Sequence, residues 1–137
     1  MSNAVAKPQP ALPRAAASVA ARYKNVQVAT CSPAQLVLLL LEGVIRFAGE
    51  ADLALANGDR SRAGERIGRC HAILEELACG LDMTDDTGLC ENLMGVYAFA
   101  MHRLMEANLK QDRAILAEIP VVLRPIRDGW AQLLGKP

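Results

Sequence analysis

The chain has 137 residues, enough for one domain of ordinary size and too few for two. Apolar residues make up 52% of it and aromatic residues only 4%. Alanine (23) and leucine (19) outnumber valine, isoleucine and threonine together (18), which favours helices, because β-branched side chains lose more freedom there. Lys plus Arg (15) equals Asp plus Glu (15), so the overall charge does not indicate a nucleic-acid partner.

The N-terminal region differs from the rest of the chain in charge and composition. Residues 1–22 are basic and rich in Pro and Ala, without apolar periodicity, and we predict a disordered tail because such a segment buries too little surface to offset its ordering entropy. No acidic residue precedes Glu42, so residues 1–41 carry four positive charges and the remainder a net four negative ones. Residues 23–31 read as a connector. The predicted boundaries are therefore a tail over 1–22 and one helical domain over 23–137.

No segment has the length of a membrane span. The longest wholly apolar runs have six residues, as from Leu36 to Leu41, whereas a spanning helix needs about 20. Pro8, Pro10 and Pro13 interrupt the N-terminus where a secretory signal requires a continuous apolar stretch. The four cysteines form no CxxC pair, which is typical of reduced thiols in the cytosol. We expect a cytoplasmic protein with no membrane insertion.

Capping residues mark the start of the first predicted helix. Ser32 can cap it together with Gln35 three residues later, and Pro33 falls at the first helical position, where its missing N–H costs nothing. Asn57 and Gly58 supply the stop. Apolar residues recur between these limits at helical spacing. They are Leu36, Leu40, Val44, Phe47, Ala51 and Ala54.

The second and third helices follow the same pattern. Asp59 can cap the second, Gly80 follows its last turn, and a loop over 81–88 leads to a third helix that ends near Lys110. The predicted core stripe of the second helix is Ala63, Ile67, Cys70, Leu74 and Leu77. The predicted core stripe of the third is Leu89, Leu93, Val96, Ala100, Leu104 and Ala107, with Met94, Tyr97, Met101 and Met105 beside it.

The fourth helix carries two prolines. Asp112 can cap it, and its predicted stripe is Ile115, Ile119, Val122, Ile126, Trp130 and Leu133. Pro120 and Pro125 both fall inside it, and a proline in a helix interior costs roughly 3 kcal/mol. We therefore predict a kink or break near 116–121. Four helices of about 20 residues with short connections predict an all-α, antiparallel four-helix bundle with a proline-kinked fourth helix.

Neither histidine has the surroundings of a metal or phosphoryl site. A di-iron bundle needs Glu-x-x-His, but the residue three before His71 is Gly68 and the residue three before His102 is Phe99. The cysteines show no ligand-pair spacing either. A phosphorelay histidine usually has a lysine and a glycine close behind, and neither histidine does. We expect no catalytic residues, no metal and no cofactor; a phosphorelay or regulatory helical bundle is the alternative function, with a metal-binding bundle behind it.

A basic run on the second helix has two interpretations. It can bind phosphates or an acidic partner, or it can be a solvated face that pairs with nearby acids such as Glu65. The balanced charge and the absence of interleaved aromatic residues favour the second interpretation. The run consists of Arg60, Arg62, Arg66 and Arg69.

The third helix has a wider apolar arc than one seam needs, because its second stripe is rich in methionine. Methionine-rich surfaces repack around varied partners, so a peptide-binding groove is one interpretation and an ordinary core is the other. On the second helix, Gly64 and Gly68 stand four residues apart. They either allow another chain to approach closely or weaken an exposed helix by roughly 1 kcal/mol each.

Two separated segments carry longer motifs. The segment VATCSPAQL at 28–36, followed by LLLEGVIRF at 39–47, resembles the Val-x-Thr-Ala-Ser-Pro-x-x-Leu…Met-Leu-Tyr-Asp-Gly-x-Ile-Arg-Phe opening of the flagellar secretion chaperone FliS family. Residues 93–112 are similar to that family's Asn-Leu-x-x-Leu-Tyr…Arg-Leu-x-x-Ala-Asn-Leu-x-x-Asp segment. The likeness spans about residues 23–134, the whole predicted domain, and the joint agreement of two separated motifs is fairly specific.

The resemblance implies a cytosolic four-helix bundle that binds the C-terminal segment of flagellin, keeps it from polymerising before export and helps deliver it for secretion. A disordered segment that folds on its chaperone can bury a large apolar surface. By this resemblance, the flagellin-binding residues are expected on the third helix, with a facing wall on the second. They are Leu93, Tyr97, Met101, Leu104 and Asn108, and Ile67, Leu74 and Leu77.

The resemblance also implies a role for the N-terminal segment. In the family this segment can cover the groove when flagellin is absent, and Tyr23 and Val28 are the matching residues here. The flagellar export gate and a co-chaperone are candidate further partners, and a homodimer is a candidate oligomeric state.

Overall fold

The computed structural model describes residues 33–137, and every regular element in that range is a helix. The predicted tail, the connector and the Ser32 cap lie outside the described residues. Within 33–137 no helix is long and apolar enough to cross a membrane. The expectation of an all-helical domain is confirmed for this range. The helices are α1 Pro33–Ala56, α2 Arg60–Cys79, α3 Leu89–Lys110, the one-turn α4 Arg113–Leu116 and α5 Glu118–Leu133.

Short-range signals set the helix ends, as the sequence predicts. The Asp59 side chain accepts a hydrogen bond from the backbone N–H of Arg62 at 3.1 Å and so caps α2. Asp112 caps α4 in the same way, accepting from Ala114 at 2.8 Å. Between α1 and α2, Gly58 has a φ of +74°, a conformation that glycine adopts without steric cost. Both predicted aspartate caps are therefore confirmed.

Helices α1 and α2 lie side by side and run in opposite directions. The Cys70 thiol donates to the carbonyl oxygen of Val44 at 3.4 Å, and the Arg66 guanidinium lies 2.7 Å from the Glu50 carboxylate. Residue numbers therefore rise along one helix as they fall along the other. Since only three residues join the two helices, this is the arrangement that the short connection allows.

Helices α3, α4 and α5 complete the packing. The Asn108 side chain near the end of α3 lies next to Gly64 near the start of α2, so these two helices also run in opposite directions. Helix α5 packs against α1 and α3, and α4 packs against α3 and α1. Arg127 pairs with Glu42 across the α1–α5 contact at 2.9 Å.

The core lies where the inner faces of the helices meet, and the predicted stripe of α2 is wholly buried. Every helix contributes large side chains that are almost fully buried, and Tyr97 on α3 has only 2% of its surface exposed. They include Val37, Leu41, Val44, Ile67, Leu74, Leu77, Leu104, Leu116, Ile119 and Leu123. Burying such apolar side chains is the main favourable contribution to folding.

The predicted fourth helix is divided at Ala117, within the interval where a kink or break was expected. Helix α4 ends at Leu116 and α5 begins at Glu118. Pro120 is the third residue of α5, where a backbone N–H has no intrahelical acceptor, so proline loses nothing there. Pro125 lies in the helix interior and removes a bond to the carbonyl of Val121. The attribution of a kink to these prolines stays a prediction.

The predicted stripe of the fourth helix is confirmed except at its last residue. Ile115 and Ile119 are buried, and Val122, Ile126 and Trp130 are half-buried and pack against the core. Leu133, the last residue of α5, is 81% exposed, and Leu123 and Ala131 are buried members of this face that the prediction did not include.

Candidate partner-binding site

Helix α3 has a buried face, two half-buried flanks and an exposed face. Its buried residues are Tyr97, Ala100, Leu104 and Ala107, which share one side at helical spacing. Burial raises the pKa of the Tyr97 hydroxyl to about 12. Tyr97 was placed in the second, methionine-rich stripe from the sequence, but in the structure it belongs to the core.

One flank of α3 follows the junction with α2. Cys90, Met94, Met101 and Asn108 lie along it, spaced four, seven and seven residues apart, and each is half-buried. Met105 lies beside them with 49% of its surface exposed. We call these five residues the methionine flank. It presents flexible, polarisable side chains that can adapt to the shape of a partner.

Helix α2 faces the methionine flank with small residues. A methyl group placed on Gly64 would meet Asn108 Oδ1 at 3.7 Å, an ordinary contact distance, so α2 and α3 approach closely here. Gly68 is exposed, and a methyl group placed on it would meet nothing within 4 Å. Space for an additional side chain is therefore present at the surface of α2 at this position.

The predicted flagellin-binding residues divide into three groups by exposure. Ile67, Leu74, Leu77, Tyr97 and Leu104 are at most 2% exposed and belong to one core cluster. Leu93, Met101 and Asn108 are half-buried. Tyr23 and Val28 lie outside the described residues. Only the second group has surface that a partner can contact without rearrangement of residues 33–137.

The exposed face of α3 carries apolar residues that were not selected from the sequence. Phe99 is 46% exposed and Leu109 is 82% exposed. Their helical positions, opposite Ala100 and Leu104, were the available signal, because a large apolar residue opposite the core stripe faces solvent.

The other flank of α3 is tied to α5 by charge. The Arg103 guanidinium donates to both oxygens of Glu118, each at 2.8 Å, and also to Glu106 at 2.6 Å. Lys110 donates to the second oxygen of Glu106 at 3.0 Å. Hydrogen bonding to Arg103 holds the pKa of Glu118 below its usual range, and bonding to Lys110 does the same for Glu106. This flank is occupied by its own ion pairs.

The basic run on α2 pairs with acids on the same surface. Arg66 and Arg69 both contact Glu65, and Arg66 also reaches Glu50 on α1. Both guanidinium groups lie 5.7 Å from the centre of the Phe47 ring, a cation–π distance. These ion pairs support the interpretation as a solvated, paired face.

Each histidine has a carboxylate neighbour on its own helix. His71 Nδ1 lies 3.7 Å from Glu75, and His102 Nε2 lies 3.8 Å from Glu106. Within 33–137, no three His, Cys, Asp or Glu side chains are grouped as metal ligands. Burial raises the pKa of the Cys70 thiol to about 12.

Comparisons with known proteins identify the family. The sequence model of a family described as flagellar protein FliS matches residues 15–137. The flagellar secretion chaperone FliS of Bacillus subtilis (strain 168) is 30% identical over 112 residues, 82% of this chain and 83% of the relative. That of Escherichia coli (strain K12) is 30% identical over 111 residues, 80% and 82% of the two chains. That of Salmonella typhimurium (strain LT2) is 31% identical over 110 residues, 80% and 82%.

The chain belongs to the FliS family. Its relatives are secretion chaperones, a non-enzymatic class, so the chain is a chaperone of flagellar secretion and not an enzyme. A secretion chaperone acts on a partner protein, which is consistent with an adaptable apolar flank on α3.

Proposed function

We propose that this chain is a cytoplasmic flagellar export chaperone that binds the C-terminal segment of flagellin, prevents its premature polymerisation and assists its secretion. The observation that carries the proposal is the family match over residues 15–137. We further propose the architecture of an antiparallel four-helix bundle over 23–137 with a tail over 1–22. The opposed directions of α1, α2 and α3, and the contacts of α5 with α1 and α3, support this architecture.

The methionine flank of α3 is the surface we assign to flagellin. A disordered segment that folds on its chaperone needs apolar side chains that remain accessible, and Met101 and Met105 retain that access at the surface of α3. Asn108 belongs to this flank, and the half-buried Leu93 extends it towards the start of α3. The deeply buried residues of the predicted set would support the flank from beneath.

The N-terminal segment is a candidate cover for this surface. Its Tyr23 and Val28 match the family residues with that role, and residues 1–41 are basic whereas the remainder is acidic. Charge attraction would favour the covered state and high salt would weaken it. The export gate, a co-chaperone and a homodimeric state belong to the same proposal.

The direct test is a calorimetric titration of the full chain with the C-terminal ~40 residues of flagellin from the same organism, a length that lets a disordered segment wrap the helices. We expect saturable binding with a negative heat-capacity change, the marker of apolar burial. Absence of detectable binding at tens of micromolar would refute the flagellin assignment.

A pair of variants tests the location. Met101→Lys places a charge on the flank and should weaken binding at least tenfold, because a buried contact is replaced by an unpaired charge. Leu53→Lys is the matched control, since Leu53 is 63% exposed on α1, away from the α2–α3 junction. Tyr97 is unsuitable for this test because a charge at a buried position would disrupt the fold. Equal binding by both variants would move the site elsewhere.

A further inference from the structure

A cleft of about 380 Å³ opens between α1 and α5, on a different pair of helices from the methionine flank. Its volume lies within the usual range of ligand pockets. Five of its six lining residues carry a charge, and the stems of these side chains supply apolar surface beside the charged groups. Such a lining suits a charged partner with aliphatic side-chain stems. The lining residues are Glu42, Ile45, Arg46, Arg124, Arg127 and Asp128.

Both carboxylates of the cleft are already engaged. Arg127 donates to Glu42 from Nε and a terminal nitrogen, at 3.1 and 2.9 Å, and to Asp128 at 2.9 Å. The same guanidinium also donates to the carbonyl oxygen of Pro137 at 3.1 Å. Hydrogen bonding to Asp128 and Glu42 raises the pKa of Arg127 above its usual range. Arg127 is therefore a fixed part of the wall.

The other two arginines of the cleft have unused capacity. Arg46 lies 3.9 Å from Glu50, the outer limit of an ion pair, and Glu50 is bound more closely by Arg66 at 2.7 Å. The Arg46 side chain is 61% exposed. Arg124 is exposed, and its guanidinium has no ion pair or hydrogen bond among residues 33–137. The Arg46 guanidinium also lies 4.8 Å from the centre of the Phe47 ring, a cation–π contact that leaves its N–H donors accessible. Each helix thus contributes one cation that borders the cleft and is not held by a close carboxylate among residues 33–137.

We propose that this cleft binds an acidic segment of a partner protein. Carboxylates of that segment accept hydrogen bonds from Arg46 on α1 and Arg124 on α5, and the aliphatic stem of an acidic side chain packs on Ile45. Two guanidinium groups from opposite walls match the fork geometry of carboxylates better than point charges would. None of the residues assigned to flagellin lines the cleft, so this inference stands independently of the flagellin assignment.

The test uses fluorescein-labelled octaglutamate as the probe and octaglutamine as its uncharged counterpart, in fluorescence-anisotropy titrations of the full chain at low, fixed ionic strength. We expect saturable binding of the acidic peptide only. Arg124→Gln should weaken it about three- to tenfold, the loss of one charge-assisted contact. Arg60→Gln is the matched control, because it removes the same charge from an exposed position on α2, and it should leave the affinity unchanged.

A variant that is expected to strengthen binding distinguishes a specific site in the cleft from general charge attraction. Glu42→Gln removes a carboxylate from the cleft and releases Arg127, so it should tighten octaglutamate binding, with circular dichroism confirming unchanged helical content. Equal weakening by Arg124→Gln and Arg60→Gln, weaker binding by a folded Glu42→Gln variant, or the lack of saturable binding would each overturn the proposal.

Discussion

Arg103 on α3 and Glu118 on α5 form two parallel hydrogen bonds, each 2.8 Å long. Glu118 is the first residue of α5, immediately after the interruption at Ala117, so this pair connects α3 to the start of α5. A bidentate pair is geometrically more specific than a single contact. Arg103 also belongs to the segment that resembles the family motif. Its contacts with Glu118 and Glu106 give this arginine a structural role.

Replacing this arginine should destabilise the protein more than replacing an unpaired one. Arg103→Gln removes the two bonds to Glu118 and the bond to Glu106, and leaves two carboxylates facing each other. We expect a lower urea midpoint by circular dichroism. Arg60→Gln loses the same charge at an exposed position and should shift the midpoint little. Similar midpoints for both variants would show that the pair contributes nothing measurable.

The same pair predicts acid sensitivity. The pKa of Glu118 is lowered in the folded state by hydrogen bonding to Arg103, so its contribution to stability is fully present above the unfolded pKa, near 4.3, and is lost as pH falls through the folded pKa. Asp52, whose pKa is lowered by Arg113, acts in the same direction. Midpoints measured between pH 7 and pH 3 should therefore fall, and less steeply in Arg103→Gln. If the urea midpoints of the two proteins fell equally with pH, the loss of stability in acid would be caused by other groups.

Two leucines on α3 allow a buried position to be compared with an exposed one. Leu104 is fully buried, and Leu104→Ala should cost about 2–5 kcal/mol of unfolding free energy through lost burial and a residual cavity. Leu109 is 82% exposed, and Leu109→Ala should change stability by no more than about 0.5 kcal/mol. Urea denaturation of both variants measures the contrast. A cost near that of Leu104→Ala at Leu109 would mean that this residue is covered in solution.

These examples show how far sequence alone reaches. The caps at Asp59 and Asp112 depend on backbone groups two or three residues away, so local patterns suffice to predict them. The pairing of Asp52 with Arg113 crosses 61 residues of sequence, and no local pattern contains it.

The candidate site shows the same limit. Periodicity identified a wide apolar arc on α3, but the depth at which Tyr97 and Met105 lie depends on how closely α2 approaches. That approach is set by packing across the helices, which is not contained in the pattern of a single helix. Sequence therefore identified α3 as the candidate location, and it could not decide which side chains of this helix remain accessible.

The thiols provide a test of burial without substitution of a core residue. Cys79 is exposed, whereas Cys70 is buried with its pKa raised to about 12. In a Cys31→Ser, Cys90→Ser background, one thiol should react rapidly with Ellman's reagent, and the second only after addition of urea, because the thiolate is the reactive form. Rapid modification of both thiols in native buffer would contradict the packing of α2 on α1.

The raised pKa of Cys70 also predicts how the stability of the protein changes at high pH. Because the folded-state pKa lies above the ordinary value of 9.0, the neutral thiol is favoured in the folded protein. Its contribution to stability is complete below pH 9 and is lost as pH rises towards 12. The urea midpoint should decline in this range, and less so in Cys70→Ala, which has no thiol to ionise.

The two prolines of α5 should respond differently to substitution by alanine. Pro125→Ala restores an N–H that can donate to the carbonyl of Val121 and removes a ring from the helix interior. The interior penalty of roughly 3 kcal/mol is partly offset, because alanine gives the unfolded chain up to about 1 kcal/mol more conformational entropy than proline. We therefore expect Pro125→Ala to raise the unfolding free energy by about 1–3 kcal/mol.

Pro120→Ala is the matched control. Pro120 lies in the first turn of α5, where an added N–H gains no intrahelical acceptor, so only the unfolded-state term remains. This variant should be neutral or destabilised by less than about 1 kcal/mol. Stabilisation by Pro120→Ala comparable to that by Pro125→Ala would show that the interruption at Ala117 is imposed by Pro120 and that α4 and α5 join once it is removed. The ranking of the two variants thus distinguishes a break set by the proline from one set by the packing of Leu116 and Ile119 in the core.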